Sequence, residues 1–185
     1  MAASPNVGAA SAGIRSGCSR RIGKPDCQGS ATTAKRAAIR RLLADTGLSD
    51  LIRARANQLG KPAGELRVAV KPTYMFGYDR RDRSAITDPL LVEELAVFVS
   101  ECGAGDVAVM ECGNIYDGFY ANRSIRDVAR YFGFTSTRYR VVDCAEDQTP
   151  HAYRRGMGQY TISRTWRDAD VRISYVVAGA ASALY

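Results

Sequence analysis

The chain has 185 residues, 46% of them apolar and 24% charged, a length that fits one domain and a composition that excludes disordered, collagenous and disulfide-scaffold classes. No apolar run reaches the roughly 18 residues of a spanning helix, so a helical membrane protein is excluded. The net charge of +7 sits at the N-terminus: residues 1–41 hold eight basic side chains and one acidic one, and residues 42–185 hold eighteen of each, so no phosphate-tracking face is expected on the folded part and nucleic acid is left to the basic tail alone.

Residues 1–33, rich in Ala, Ser and Gly and poor in acids, read as a flexible tail ahead of a single α/β domain over 34–185. Ser19, Arg20 and Arg21 are not followed by the apolar run of an export signal. Residues 34–59 carry Ile39, Leu42 and Leu43 at helical spacing and break at Gly47, which predicts two short helices. Residues 66–70 alternate as a strand that stops at Lys71 and Pro72, because proline cannot donate to a ladder. Asp88 and Pro89 are a helix start, with Leu91, Leu95, Phe98, Val99 and Cys102 on one face and Gly103 as the stop. A second strand is predicted over 106–110, a helix capped by Ser124 and ended by Gly133, and a third strand over 139–142. Residues 145–158 are polar, and 160–166 and 171–177 are two further strand candidates. The rhythm strand, helix, strand, helix, strand predicts right-handed crossovers and a mostly parallel sheet with helices on both faces.

Ligands of open parallel sheets bind outside the carboxyl ends of the strands. The predicted strands leave their sheet at Lys71, at Glu111, Cys112, Gly113 and Asn114, and at Asp143 and Cys144. The connection 73–87 has 15 residues, far longer than an ordinary βα loop, and interleaves Tyr74, Phe76 and Tyr78 with Arg80, Arg81 and Arg83 before the helix start at Thr87 and Asp88. These residues predict a site for a small anionic ligand, with Lys71 and Glu111 as the candidate catalytic residues, Lys71 holding the anion and Glu111 available as an acid or base, and with Asn114, Arg80, Arg81, Thr87 and Asp88 as binding groups. The competing reading is a salt-bridged rim lysine and solvated arginines in a non-catalytic binding or structural module.

Five cysteines without a C-x-x-C pair fit neither a disulfide framework nor a zinc or iron–sulfur site, and predict a reducing, cytoplasmic setting with no metal. Cys112 and Cys144 end adjacent crossover units and come close enough to share a metal or a disulfide if their strands are neighbours, yet two thiols without further ligands make a poor metal site and free cysteines are most often buried small hydrophobes, which is the expectation taken for them. Cys102 is assigned to the core. His151 lies in a polar segment where the sequence offers no obvious Ser or Cys for a catalytic triad, and Gly156, Met157 and Gly158 lack the strand and helix of a dinucleotide loop. No cofactor is identified.

The segments Val68 to Pro72, Thr87 to Pro89, Gly103 to Glu111 and Asn122 to Gly133, together with the run Thr165 to Ser174, resemble in order and spacing the bacterial and archaeal family called domain of unknown function 362. The resemblance covers about residues 42–174 and implies an α/β domain whose activity is largely unassigned. Some relatives add a cysteine-rich segment with ferredoxin-type clusters and are linked to redox work; the residues here contain no such segment. Relatives continue after the last strand with a basic stretch, whereas residues 175–185 are uncharged. This difference implies a reading frame truncated or shifted after Ser174, whose product would lack half of any site. The overall expectation is an α/β domain that binds a small anionic or redox ligand at the strand ends.

Overall fold

Four parallel strands in the order β3-β2-β1-β6 carry the fold: β1 (Leu66–Pro72), β2 (Ala104–Glu111), β3 (Arg140–Asp143) and β6 (Val171–Tyr175). The computed structural model describes residues 27–62, 64–152, 155, 158 and 160–175. Most of the expected tail, Gly156 and Met157 of the glycine pair, and the last residues of the expected 171–177 strand lie outside the described residues. The α/β class with a parallel sheet is as the element rhythm predicts.

Helix α1 (Cys27–Asp45) begins at Cys27, ahead of the expected start at Ala34, because its Ala-rich turns propagate outward from the buried anchors Ile39 and Leu43. Leu42, expected on the same apolar spacing, faces solvent. Gly47, at φ 70°, separates α1 from α2 (Leu48–Leu59). Helix α3 (Pro89–Glu101) starts as predicted: the Asp88 carboxylate accepts the amide of Leu90 at 2.9 Å, and Pro89 occupies a position where no amide is needed. In α4 (Ile125–Phe132) the Ser124 hydroxyl accepts the Asp127 amide at 3.1 Å, and Gly133, at φ 96°, takes the left-handed conformation that ends the helix.

The charge of residues 1–41 is partly used inside the fold. Arg36 and Arg40 reach the buried carboxylate of Glu94 on α3, with Arg40 Nε 2.8 Å from Oε2; Arg40 also pairs with Glu101 at 3.1 Å, and Lys35 pairs with Asp88. Three of the eight basic residues counted in that segment are thus neutralised at α3 and its cap.

The two faces of the sheet are unequal. On one, Val68, Val70, Val107, Val109 and Val171 pack against Ile39, Ile52, Leu95, Val99, Val128 and Phe132 of the first four helices. On the other, the small residues Ala69 and Ala108, with Met110, Val142 and Cys144, pack against Ala169 and Trp166. That second face is met by a five-residue helix, α5 (Arg164–Asp168), and by the antiparallel pair β4 (Gln148–His151) and β5 (Tyr160–Ser163). The strand expected over 160–166 therefore ends at Ser163, whose hydroxyl accepts the Trp166 amide and starts α5. Strand β4 was not anticipated in the polar stretch, and it places His151 opposite Tyr160. Strand β1 runs on through Lys71 and Pro72 because these two residues pair with β6 alone, after the ladder to β2 has ended at Val70 and Val109.

At the amino end of the sheet, Asp170 joins three segments. Its carboxylate, 8% exposed, accepts Lys61 Nζ at 2.7 Å and the Arg67 amide at 2.8 Å. Burial alone would raise this carboxyl, but the Lys61 ammonium and the Arg67 amide outweigh it and hold Asp170 below the ordinary aspartate range. A depressed folded-state value contributes stability above the unfolded-state value of about 3.9 and loses it as pH falls through the folded one. Asp170→Asn is therefore expected to cost about 2 kcal/mol in urea unfolding at pH 7, and the gap to wild type is expected to shrink as the pH drops below about 4.

Candidate functional site

Strands β2 and β3 are in register at Glu111 and Asp143, and the Cys144 amide donates to the Glu111 carbonyl at 3.0 Å, one step past the ladder. Strand alternation puts Lys71, Met110, Cys112 and Cys144 on the sparsely covered face. There they line a cavity of about 360 Å³ whose other walls come from the β4–β5 pair and α5, chiefly Gln148, Tyr160, Ile162 and Trp166. The short α5 and the small Ala69 and Ala108 explain the space: among the described residues no long helix covers this end of the sheet.

Glu111 is the buried charge of the rim. Its side chain is 5% exposed and accepts Lys71 Nζ at 2.6 Å, the Cys112 amide at 3.2 Å and the amide of Tyr74. Burial pushes its carboxyl above the ordinary glutamate value, and the Lys71 ammonium counters this in part. Lys71 keeps 41% of its side chain exposed, so the amine joins the buried carboxylate to the cavity. The two candidate catalytic residues thus stand together.

The two strand-end cysteines also meet, since β2 and β3 are neighbours. Cys144 is buried and Cys112 is exposed, so the expectation of two buried hydrophobes fails for Cys112, which has left the ladder at the end of its strand. The thiols are in hydrogen-bonding contact. That hydrogen bond lowers the Cys112 thiol to about 7 against the opposing effect of burial, with the Lys71 charge assisting and the Glu111 charge resisting. The same contact, with burial, pushes Cys144 up. One thiol of the pair is therefore the thiolate near neutral pH and the other its proton donor.

The remaining predicted binding residues are dispersed. Thr87 is buried and closes the base of the long loop: its amide donates to the Thr73 carbonyl at 2.7 Å, and its hydroxyl accepts the Thr73 amide at 3.0 Å. The same hydroxyl donates to the Tyr175 carbonyl at 3.3 Å. Asp88 is occupied as the cap of α3 and the partner of Lys35. Arg80 lies 4.7 Å over the Tyr131 ring and donates to the Tyr131 carbonyl, lining a groove with Tyr78, Arg123 and Arg130. Arg81 is exposed and paired with Asp79 at 2.7 Å. Asn114 caps the 3₁₀ turn Ile115–Phe119, accepting the Tyr116 amide at 3.2 Å while its own amide donates to Asp117. The loop is drawn onto α4 instead of over the strand ends, so its arginines do not reach Lys71.

The residue that shapes this rim without an obvious sequence signal is Arg123, with a side chain 11% exposed. It donates to Asp117 Oδ1 at 2.8 Å, to the Gly77 carbonyl at 2.6 Å and to the Met75 carbonyl, and lies 4.3 Å over the Tyr78 ring. One guanidinium thereby fixes the turns that follow β1 and β2. Tyr74 is buried against Phe134 at 4.8 Å between ring centroids, and its hydroxyl has no hydrogen-bond partner among the described residues. No group of three or more His, Cys, Asp or Glu side chains among the described residues is arranged to hold a metal ion. No helix among them is long and apolar enough to cross a membrane.

Comparison of the chain with family models, with curated proteins and with solved structures finds no match.

The thiol pair makes a direct prediction. In the wild-type chain, alkylation of Cys112 by iodoacetamide, followed by peptide mass spectrometry, is expected to be half-maximal at about pH 7. In Cys144→Ala the midpoint is expected to move up toward the ordinary thiol value of about 8.5, because the hydrogen bond to the thiolate is gone.

Proposed function

We propose that the cavity at the carboxyl edge of the sheet binds a small molecule bearing an anionic group, with Lys71 as its counter-ion and Glu111 as the proton carrier. The observation that supports this most is the position of Lys71, its amine bonded to a buried carboxylate on one side and open to the cavity on the other. When an anionic ligand draws on the Lys71 charge, Glu111 loses part of the counter-charge that Lys71 supplies and takes up a proton more readily. Binding is then coupled to proton uptake and strengthens as the pH falls. Met110, Ile162, Tyr160 and Trp166 offer apolar wall for the rest of such a molecule. A ligand with redox character belongs to the same reading, since two thiols stand in that wall.

The resemblance of residues 42–174 to the domain of unknown function 362 family is proposed together with this reading, as is a reducing, cytoplasmic setting. The rival reading, a non-catalytic binding or structural module, draws on the closeness of the Lys71–Glu111 pair, which neutralises the lysine in the absence of a ligand. Trp166 is the one tryptophan of the chain and lines the cavity, so its fluorescence distinguishes the two. Titration with phosphate, oxalate and benzoate is expected to change Trp166 emission for at least one of them, more tightly at pH 6 than at pH 8, and at least tenfold more weakly in Lys71→Ala. A response identical in Lys71→Ala, or none with any of the three, favours the rival.

A further inference from the structure

We propose that Cys112 and Cys144 are a redox-active dithiol that closes to an intramolecular disulfide by exchange with a small-molecule disulfide. Three features of the fold carry it. The first is distance: the two cysteines directly follow the registered pair Glu111 and Asp143 on adjacent parallel strands, and neighbouring strands lie about 4.8 Å apart, inside the Cα separation of roughly 4.4–6.8 Å that a disulfide spans. The amide of Cys144 bonds to the Glu111 carbonyl at 3.0 Å, so the strands have not splayed where the cysteines leave them. The second is direction: both side chains project to the same face, line the same cavity and are in hydrogen-bonding contact. The third is asymmetry: Cys112 is exposed and Cys144 is buried behind it, which gives an attacking thiol that solvent can reach and a resolving thiol that it cannot.

The exchange follows from that asymmetry. The Cys112 thiolate attacks one sulfur of a small disulfide, breaking its S–S bond and releasing one thiolate, which takes a proton from solvent. Cys144 then attacks the Cys112 sulfur, breaks the mixed disulfide and yields its proton to the second departing thiolate. The two protein thiols lose two electrons and two protons, and the external disulfide is reduced to two thiols. Lys71, on the rim of the same cavity, stabilises negative charge on either sulfur. Cys102 lies on the turn after α3, and the exchange does not use it. The proposal stands apart from the anionic-ligand reading, since exchange needs no anion bound at Lys71.

The test uses the full chain carrying Cys102→Ala, because Cys102 and Cys112 otherwise share the tryptic peptide 84–123, whereas Cys144 falls in 141–154. The protein is equilibrated in glutathione buffers of increasing disulfide content, quenched in acid, alkylated and mapped. The expected result is a cross-linked pair of these two peptides, lighter by two hydrogens, whose fraction rises with the disulfide content. Cys144→Ala is expected to accumulate a glutathione adduct on Cys112 instead, and Cys112→Ala to leave Cys144 reduced, with a cooperative thermal melt checking that each variant is folded. A stable glutathione adduct on Cys112 without the cross-link, in the chain that retains Cys144, overturns the proposal. So does a Cys112 that does not react, or a Cys144 that reacts when Cys112 is absent. Should Cys144→Ala not fold, the map of the chain that retains both cysteines still decides.

Discussion

A carboxylate withdrawn from water has to find its counter-charge nearby or give up its charge, and Glu111 imposes that constraint on the whole carboxyl edge of the sheet. Only 4% of the residue is exposed. Its oxygens are met by Lys71 from the end of β1, by the Cys112 amide from its own strand and by the Tyr74 amide from the loop above. To satisfy it, β1 has to end beside β2 with a cation, the chain after Pro72 has to bring the Tyr74 amide to the carboxylate before it runs on to α4, and β2 has to leave its ladder at Cys112. The positions of the lysine, the first turn of the long loop and the exposed thiol are consequences of one buried charge.

Why a cavity opens here follows from the unequal faces of the sheet. The valines of one face are matched by long helices with large apolar side chains. The other face carries alanines at its centre and is met by a helix of five residues and a two-stranded pair. Small residues let α5 approach closely at one end, through Ala169 and Trp166, and the same shortness leaves the other end open over Lys71, Cys112 and Cys144. Arg123 supports this rim from the side, because three hydrogen bonds from its guanidinium tie the turns after β1 and β2 to a single rigid group.

Much of this was legible in the residues. The helix starts at Asp88 and Ser124 and the stop at Gly133 are local devices whose chemistry reads directly from sequence, and the structure shows each of them. The parallel order followed from the spacing of strands and helices, and Lys71 and Glu111 were picked out because strand ends are where parallel sheets expose polar groups. What was not legible depends on folding back. The arginines of residues 80–83 sit in the long loop, but whether that loop covers the strand ends or lies on α4 is decided by Tyr131, more than forty residues further on. Composition made two strand-end cysteines look like small hydrophobes, and only the register of β2 with β3 brings them into contact with one in solvent. Ser163 carried the signal for ending β5, as a serine three residues before an amide it could cap, but the apolar residues around it read as a longer strand.

The account turns on Glu111 being a buried carboxylate held by Lys71, and titrating its side-chain carboxyl by carbon NMR in the wild-type chain and in Lys71→Met measures that directly. The structure predicts a glutamate that titrates above its ordinary value in wild type and higher still in Lys71→Met, since burial remains and the compensating ammonium is gone. A Glu111 that titrates at the ordinary value of about 4.3 in both chains contradicts the buried pair and the site built on it.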